Sequence, residues 1–84
     1  TTPIQALNLL NSRFTIDEAE AFAARIQKDV GADVELQIAR AYQLAFGRKP
    51  EPIEINSATV VVAQHGLSTL CRVIYNTNEF LFLP

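Results

Sequence analysis

Apolar positions recur every three or four residues along most of this chain, and glycine, proline and aspartate separate the runs. Ile16, Ala19, Phe22, Ala23, Ile26 and Val30 fall on one helical face, which predicts a helix ending at Gly31. Thr15-Ile16-Asp17-Glu18 has the form of a capping box, so Thr15 is expected to cap that helix, with Glu18 reaching back. Asp17, Glu18 and Glu20 then sit in the first turns and Lys28 near the end, where the helix dipole favours each sign of charge. Asp33 can cap a second helix whose face carries Val34, Ile38, Ala41, Tyr42 and Ala45. Gly47 is expected to end it in a left-handed conformation, leaving Arg48 to run back over the last turn, and Pro50 and Pro52 forbid continuation.

The flanks are less regular. Pro3 with Ile4, Leu7 and Leu10 predicts a short first helix that depends on its neighbours. Residues 52–65 carry two conflicting signals. Thr59-Val60-Val61-Val62 suits a strand, whereas Pro52 and Gly66 bracket a helix starting near Pro52 or capped by Ser57. The helical reading is preferred. Leu67, Leu70, Cys71, Ile74 and Tyr75 predict a final helix, with Asn76 or Asn78 supplying the backbone angles that end it. Phe80, Leu81, Phe82 and Leu83 follow, and an extended run of that kind shows apolar groups on both faces. Phe80 is expected to pack on the first helix through Leu7 or Leu10, with Leu81 to Leu83 covering the bundle or a second molecule. The expected fold is all-α: residues 1–84 form a single domain, a small bundle of four to five short helices with an extended apolar C-terminal tail.

Composition adds one point. Hydrophobic residues make up 49% of an 84-residue chain and mean hydropathy is positive, so part of the apolar surface is expected to lie against something outside the domain. A net charge of −2 with seven scattered basic residues gives no footprint for nucleic acid. Ile55 to Cys71 lacks formal charge, yet Asn56, Ser57, Gln64 and His65 interrupt it, so no membrane span is expected. The N-terminal residues lack a signal-peptide layout.

Three stretches together carry a resemblance: Ala6 to Phe14 (ALNLLNSRF), Arg40 to Arg48 (RAYQLAFGR), and Leu70-Cys71 through Asn76 to Phe80. In order and spacing they resemble the C-terminal part of a planctomycete-specific domain of unknown function. That domain occurs in multidomain proteins, commonly with cytochrome c-like modules and a second uncharacterised domain upstream. The resemblance implies a C-terminal piece of a larger exported or periplasmic bacterial protein, with the upstream domains as its partners. It implies no catalytic residues. Thr59 to Val62 depart from the pattern, where better helix formers are expected.

Candidate chemistry is sparse. Cys71 could be a nucleophile or a haem anchor, but it has no Cys-x-x-Cys-His context and its helical spacing reads as a buried thiol. His65, the single histidine, cannot hold zinc with one distant cysteine. Asp17, Glu18 and Glu20 point in different directions from a helix and read as dipole partners. Arg48 and Lys49 are candidates for gripping an anion such as phosphate or sulfate, against the plainer reading that they neutralise the preceding helix's carbonyls. Tyr42 and Phe46, one turn apart, read as core. No catalytic, cofactor-binding or metal-binding residue is assigned, and no cofactor is expected. Phe80, Leu81, Phe82 and Leu83 are the candidate interaction surface, with self-association through them as an option. The leading reading is a structural or interaction module. Its rival is a fragment of an enzyme whose site is completed upstream, which would require Tyr42, Arg48, His65 or Arg72 to converge on a pocket.

Overall fold

The computed structural model describes residues 13–77, apart from the Phe14 side chain. The described residues form four helices: α1 (Arg13–Val30), α2 (Val34–Phe46), α3 (Pro52–His65) and α4 (Leu67–Tyr75). Each helix packs on the next, and α4 closes the bundle by packing on α1, the largest of these contacts. The all-α fold is thus as the periodicity predicts. The first short helix around Ile4, Leu7 and Leu10, the tail, and the expected contact of Phe80 with Leu7 or Leu10 lie outside the described residues.

Small side chains let the helices approach closely. Ala19, Ala23 and Ile26 of α1 meet Ile38, Ala41, Ala45 and Phe46 of α2, and Leu67, Leu70, Cys71 and Ile74 of α4. These are the stripes read from the sequence, and their burial is the main driving force for the bundle. One expected member fails: Val34 sits at the exposed start of α2 and contributes little.

The ends of α2 follow its local sequence. The Leu36 N–H donates to Asp33 Oδ1 at 3.1 Å, so Asp33 caps the helix. Gly47, at φ 69° and ψ 22°, donates its N–H to the Gln43 carbonyl and stops the chain. Gly31 donates to Gln27 in the same way at the end of α1.

Elsewhere the termini differ from expectation. Thr15 does not cap α1; the helix begins at Arg13 and Thr15 lies buried within it. Thr15 stands four residues before Ala19 on the core stripe, and packing there outweighs a capping role. Asp17 is therefore in the second turn, where it pairs with Arg13 at 3.3 Å. The helix α3 starts at Pro52, leaving Ser57 inside it. Asn76 ends α4 without unusual angles, at φ −99° and ψ 9°, and its Nδ2 donates to the Arg72 carbonyl at 2.9 Å.

Candidate functional site

The helix α3 resolves the strand-or-helix conflict, and it does so in an uneven way. Its β-branched run is helical because Pro52 pre-sets the first turn and Glu54 caps it: the Glu51 N–H donates to Glu54 Oε1 at 2.7 Å. Thr59 is accommodated by donating its hydroxyl to the Ile55 carbonyl at 2.7 Å. Val61 and Val62 pack on the core, but Ala58 is the one α3 side chain fully inside it.

The outer face of α3 is uncharged and carries two large exposed apolar side chains. Ile53 is 74% exposed and Val60 53% exposed, and seven residues place them two turns apart on the same side. Asn56, Ser57, Ala63 and Gln64 are the exposed residues around them. A helix apolar on nearly every side belongs inside a larger packed structure, and depletion of charge marks the centre of protein interfaces. Val34, Leu36 and Val73 are also exposed, but scattered apolar residues are ordinary on a small domain. The α3 face is the surface that stands out.

Arg48 is where the structure concentrates polar contacts. Its Nη1 and Nη2 donate to the two carboxylate oxygens of Glu54 at 2.8 and 2.9 Å, and Nη1 also reaches the Lys49 carbonyl at 3.1 Å. The guanidinium lies 5.5 Å from the Tyr42 ring centroid and 5.4 Å from that of Phe46. Those rings meet edge to face at 5.1 Å. Arg48 does run back over the last turn of α2, as expected from Gly47. Its fork is turned on a carboxylate, however, not on the helix carbonyls. The Arg48 hydrogen bonds, then the Glu51 N–H, hold the Glu54 pKa down at about 2. Lys49 is exposed beside it, and both line a groove of about 400 Å³ with Arg40, Gln43 and Leu36. Arg40 in that groove is itself committed to Asp29 and Gln43, at 3.1 and 3.0 Å. The geometry of an anion clamp is thus largely occupied by the protein's own acceptors.

The residues whose convergence would mark an enzyme site separate into two places. Tyr42 and Arg48 meet at the α2–α3 corner. His65 is exposed at the far end of α3, about 20 Å along the helix axis. Arg72 donates to Thr69 Oγ1 at 3.0 Å, and Thr69 donates in turn to the His65 carbonyl at 3.1 Å. Cys71 is fully buried, and burial pushes its thiol up to about 12, far from the thiolate that reacts. Among the described residues no cluster of three or more histidine, cysteine, aspartate or glutamate side chains is placed to hold a metal ion. No helix there is long and apolar enough to cross a membrane.

Two polar links escape a sequence reading. Gln37 is buried and its Nε2 donates to the Gly31 carbonyl at 2.7 Å, tying α2 to the end of α1. Asp29, unfavourable by sign in the last turn of α1, is held by Arg40 at 3.1 Å and Arg25 at 3.8 Å. Only the Glu51-x-x-Glu54 spacing, six residues past Arg48, offered a local hint of the Glu54 cluster.

A family model described as PSD1, protein of unknown function (DUF1553), matches residues 1–62. That stretch holds the first two of the three motifs behind the resemblance and ends within α3. No curated protein and no solved structure matches the chain.

Proposed function

Since this chain belongs to the PSD1 family of proteins of unknown function (DUF1553), we propose that it is an interaction module that packs the outer face of α3 against another part of a longer parent protein. The observation that carries this reading is α3 itself. It is a 14-residue helix with apolar residues all round and Ala58 alone fully buried. Exposed Ile53 and Val60, the latter within the stretch from Ile55 to Cys71 that lacks formal charge, favour a protein surface over nucleic acid or a charged ligand. The resemblance to a domain of multidomain exported proteins supports an upstream segment of the same chain as the partner. No separate observation favours the enzyme-fragment reading.

Hydroxyl-radical footprinting tests the proposal directly, because it reads side-chain exposure. Ile53 and Val60 should be modified readily in the 84-residue chain and protected in the longer native protein. Equal modification in both would overturn it. Ile53→Glu should leave the melting of the isolated chain nearly unchanged, since that side chain is mostly in water, while opening the contact in the parent.

A further inference from the structure

A second apolar feature lies away from α3, between α1, α2 and α4. Ala21 and Phe22 of α1, Leu44 of α2 and Tyr75 of α4 wall a cleft of about 190 Å³, with Glu18 and Arg25 also lining it. Phe22, Leu44 and Tyr75 are half-buried, and the two rings meet edge to face at 6.0 Å and 78°. A cavity of about 150 Å³ lined by apolar side chains holds a benzene ring, so this one has room for a single aromatic group. A third ring there can continue the edge-to-face packing of the first two. Glu18, Phe22 and Arg25 share one face of α1, and the two charged residues stand about 10 Å apart along its axis.

The two charges differ in what opposes them. Because α1 begins at Arg13, Glu18 lies beyond the first turn, where the helix dipole no longer accounts for an acid. Glu18 is half-buried, and among the described residues its carboxylate has no ion pair or hydrogen bond. Arg25 instead reaches Asp29 at 3.8 Å. Burial, and then the Glu18 charge, raise the Tyr75 pKa, so that charge acts on the cleft wall. An aromatic-lined hollow with one unbalanced negative charge at its edge is the result. We propose that this cleft binds an arylalkylamine, its ring seated between Phe22, Leu44 and Tyr75 and its ammonium on the Glu18 carboxylate. A concave, mostly apolar wall with few polar groups is the usual form of a small-molecule site. An anionic ring would set its charge against Glu18, and a neutral ring would leave that carboxylate without a partner. No residue of α3 lines the cleft, so the site stands or falls independently of the α3 face.

The test is an NMR titration of the full 84-residue chain with 2-phenylethylamine, read at the Leu44 methyls and the Tyr75 ring. The expected result is saturable shifts of both, with half-saturation on the order of 1–10 mM for a ligand of this size. The anionic counterpart 3-phenylpropionate should bind about fivefold more weakly, as loss of one partly screened ion pair implies. Butylamine, which has the charge without the ring, should leave those resonances in place. Glu18→Gln should bring the two aromatic probes to equal affinity, whereas Glu20→Gln, outside the cleft, should preserve the preference. No saturable shift with 2-phenylethylamine would overturn the site. So would equal affinity for the two aromatic probes in the wild type, an equal response to butylamine, or a preference that survives Glu18→Gln.

Discussion

Replacing Arg48 with methionine probes the corner that joins α2 to α3. The change removes the two-pronged contact with Glu54 at 2.8 and 2.9 Å, and with it the guanidinium over Tyr42 and Phe46. Both partners of the ion pair keep roughly a third of their side-chain surface in water, so solvent screening limits the pair to about 1 kcal/mol. The two ring contacts contribute about 0.5 kcal/mol each at such a site. Methionine preserves much of the apolar stem's cover over Phe46. The expected loss is therefore about 2 kcal/mol, or roughly 8–15 °C in melting temperature for a domain of this size. Arg48→Lys keeps the charge without the fork and should lose about half as much. Acid supplies a second readout. The Glu54 pKa is depressed from 4.5 to about 2, chiefly by the Arg48 hydrogen bonds. A depressed carboxylate stabilises the fold above its unfolded pKa, and that contribution is lost as pH falls from 4.5 toward 2. The difference between wild type and Arg48→Met should accordingly shrink across that window. Thermal melts followed by circular dichroism at a series of pH values measure both effects. Equal melting at neutral pH, or a difference that stays constant to the acid end, would refute the reasoning.

Three further outcomes are expected. Gly66 holds φ 93° and ψ 165° between α3 and α4, and a Cβ there meets nothing within 4 Å. Gly66→Ala should thus cost about 1–3 kcal/mol through backbone strain alone, seen as a lower urea midpoint; an unchanged midpoint would show that the corner relaxes freely. Gln37→Leu leaves the Gly31 carbonyl without its donor and should cost about 1 kcal/mol in the same assay. Cys71 should resist thiol reagents in the folded chain and react at once in denaturant. Because burial raises its pKa from 9.0 to about 12, its neutral form favours the fold fully below pH 9, and stability should decline as pH rises beyond that; rapid labelling of the native chain would contradict the burial.

What the sequence by itself determined is local. The αL angle of Gly47, the Asp33 cap, and the Ala19–Ala23–Ile26 and Leu67–Leu70–Cys71–Ile74 stripes depend on backbone sterics, short-range hydrogen bonds and helical period, all of which act within a few residues. Tertiary structure decided the rest. It drew Thr15 off its capping position into the core, and it left Val34 in solvent. It held Thr59 to Val62 in a helix against their intrinsic preference, because Val61 and Val62 gain apolar cover there while Glu54 secures the start. It also gave Arg48 a carboxylate and two rings in place of helix carbonyls. That partner lies six residues further on, past Pro50 and Pro52, and only the path of the turn into α3 brings the two charges together. The same holds for the Phe22–Leu44–Tyr75 cleft, whose walls come from three helices and which no single stretch of sequence contains. Periodicity states which face of a helix is apolar, whereas only the packing of all the helices determines which apolar face remains uncovered.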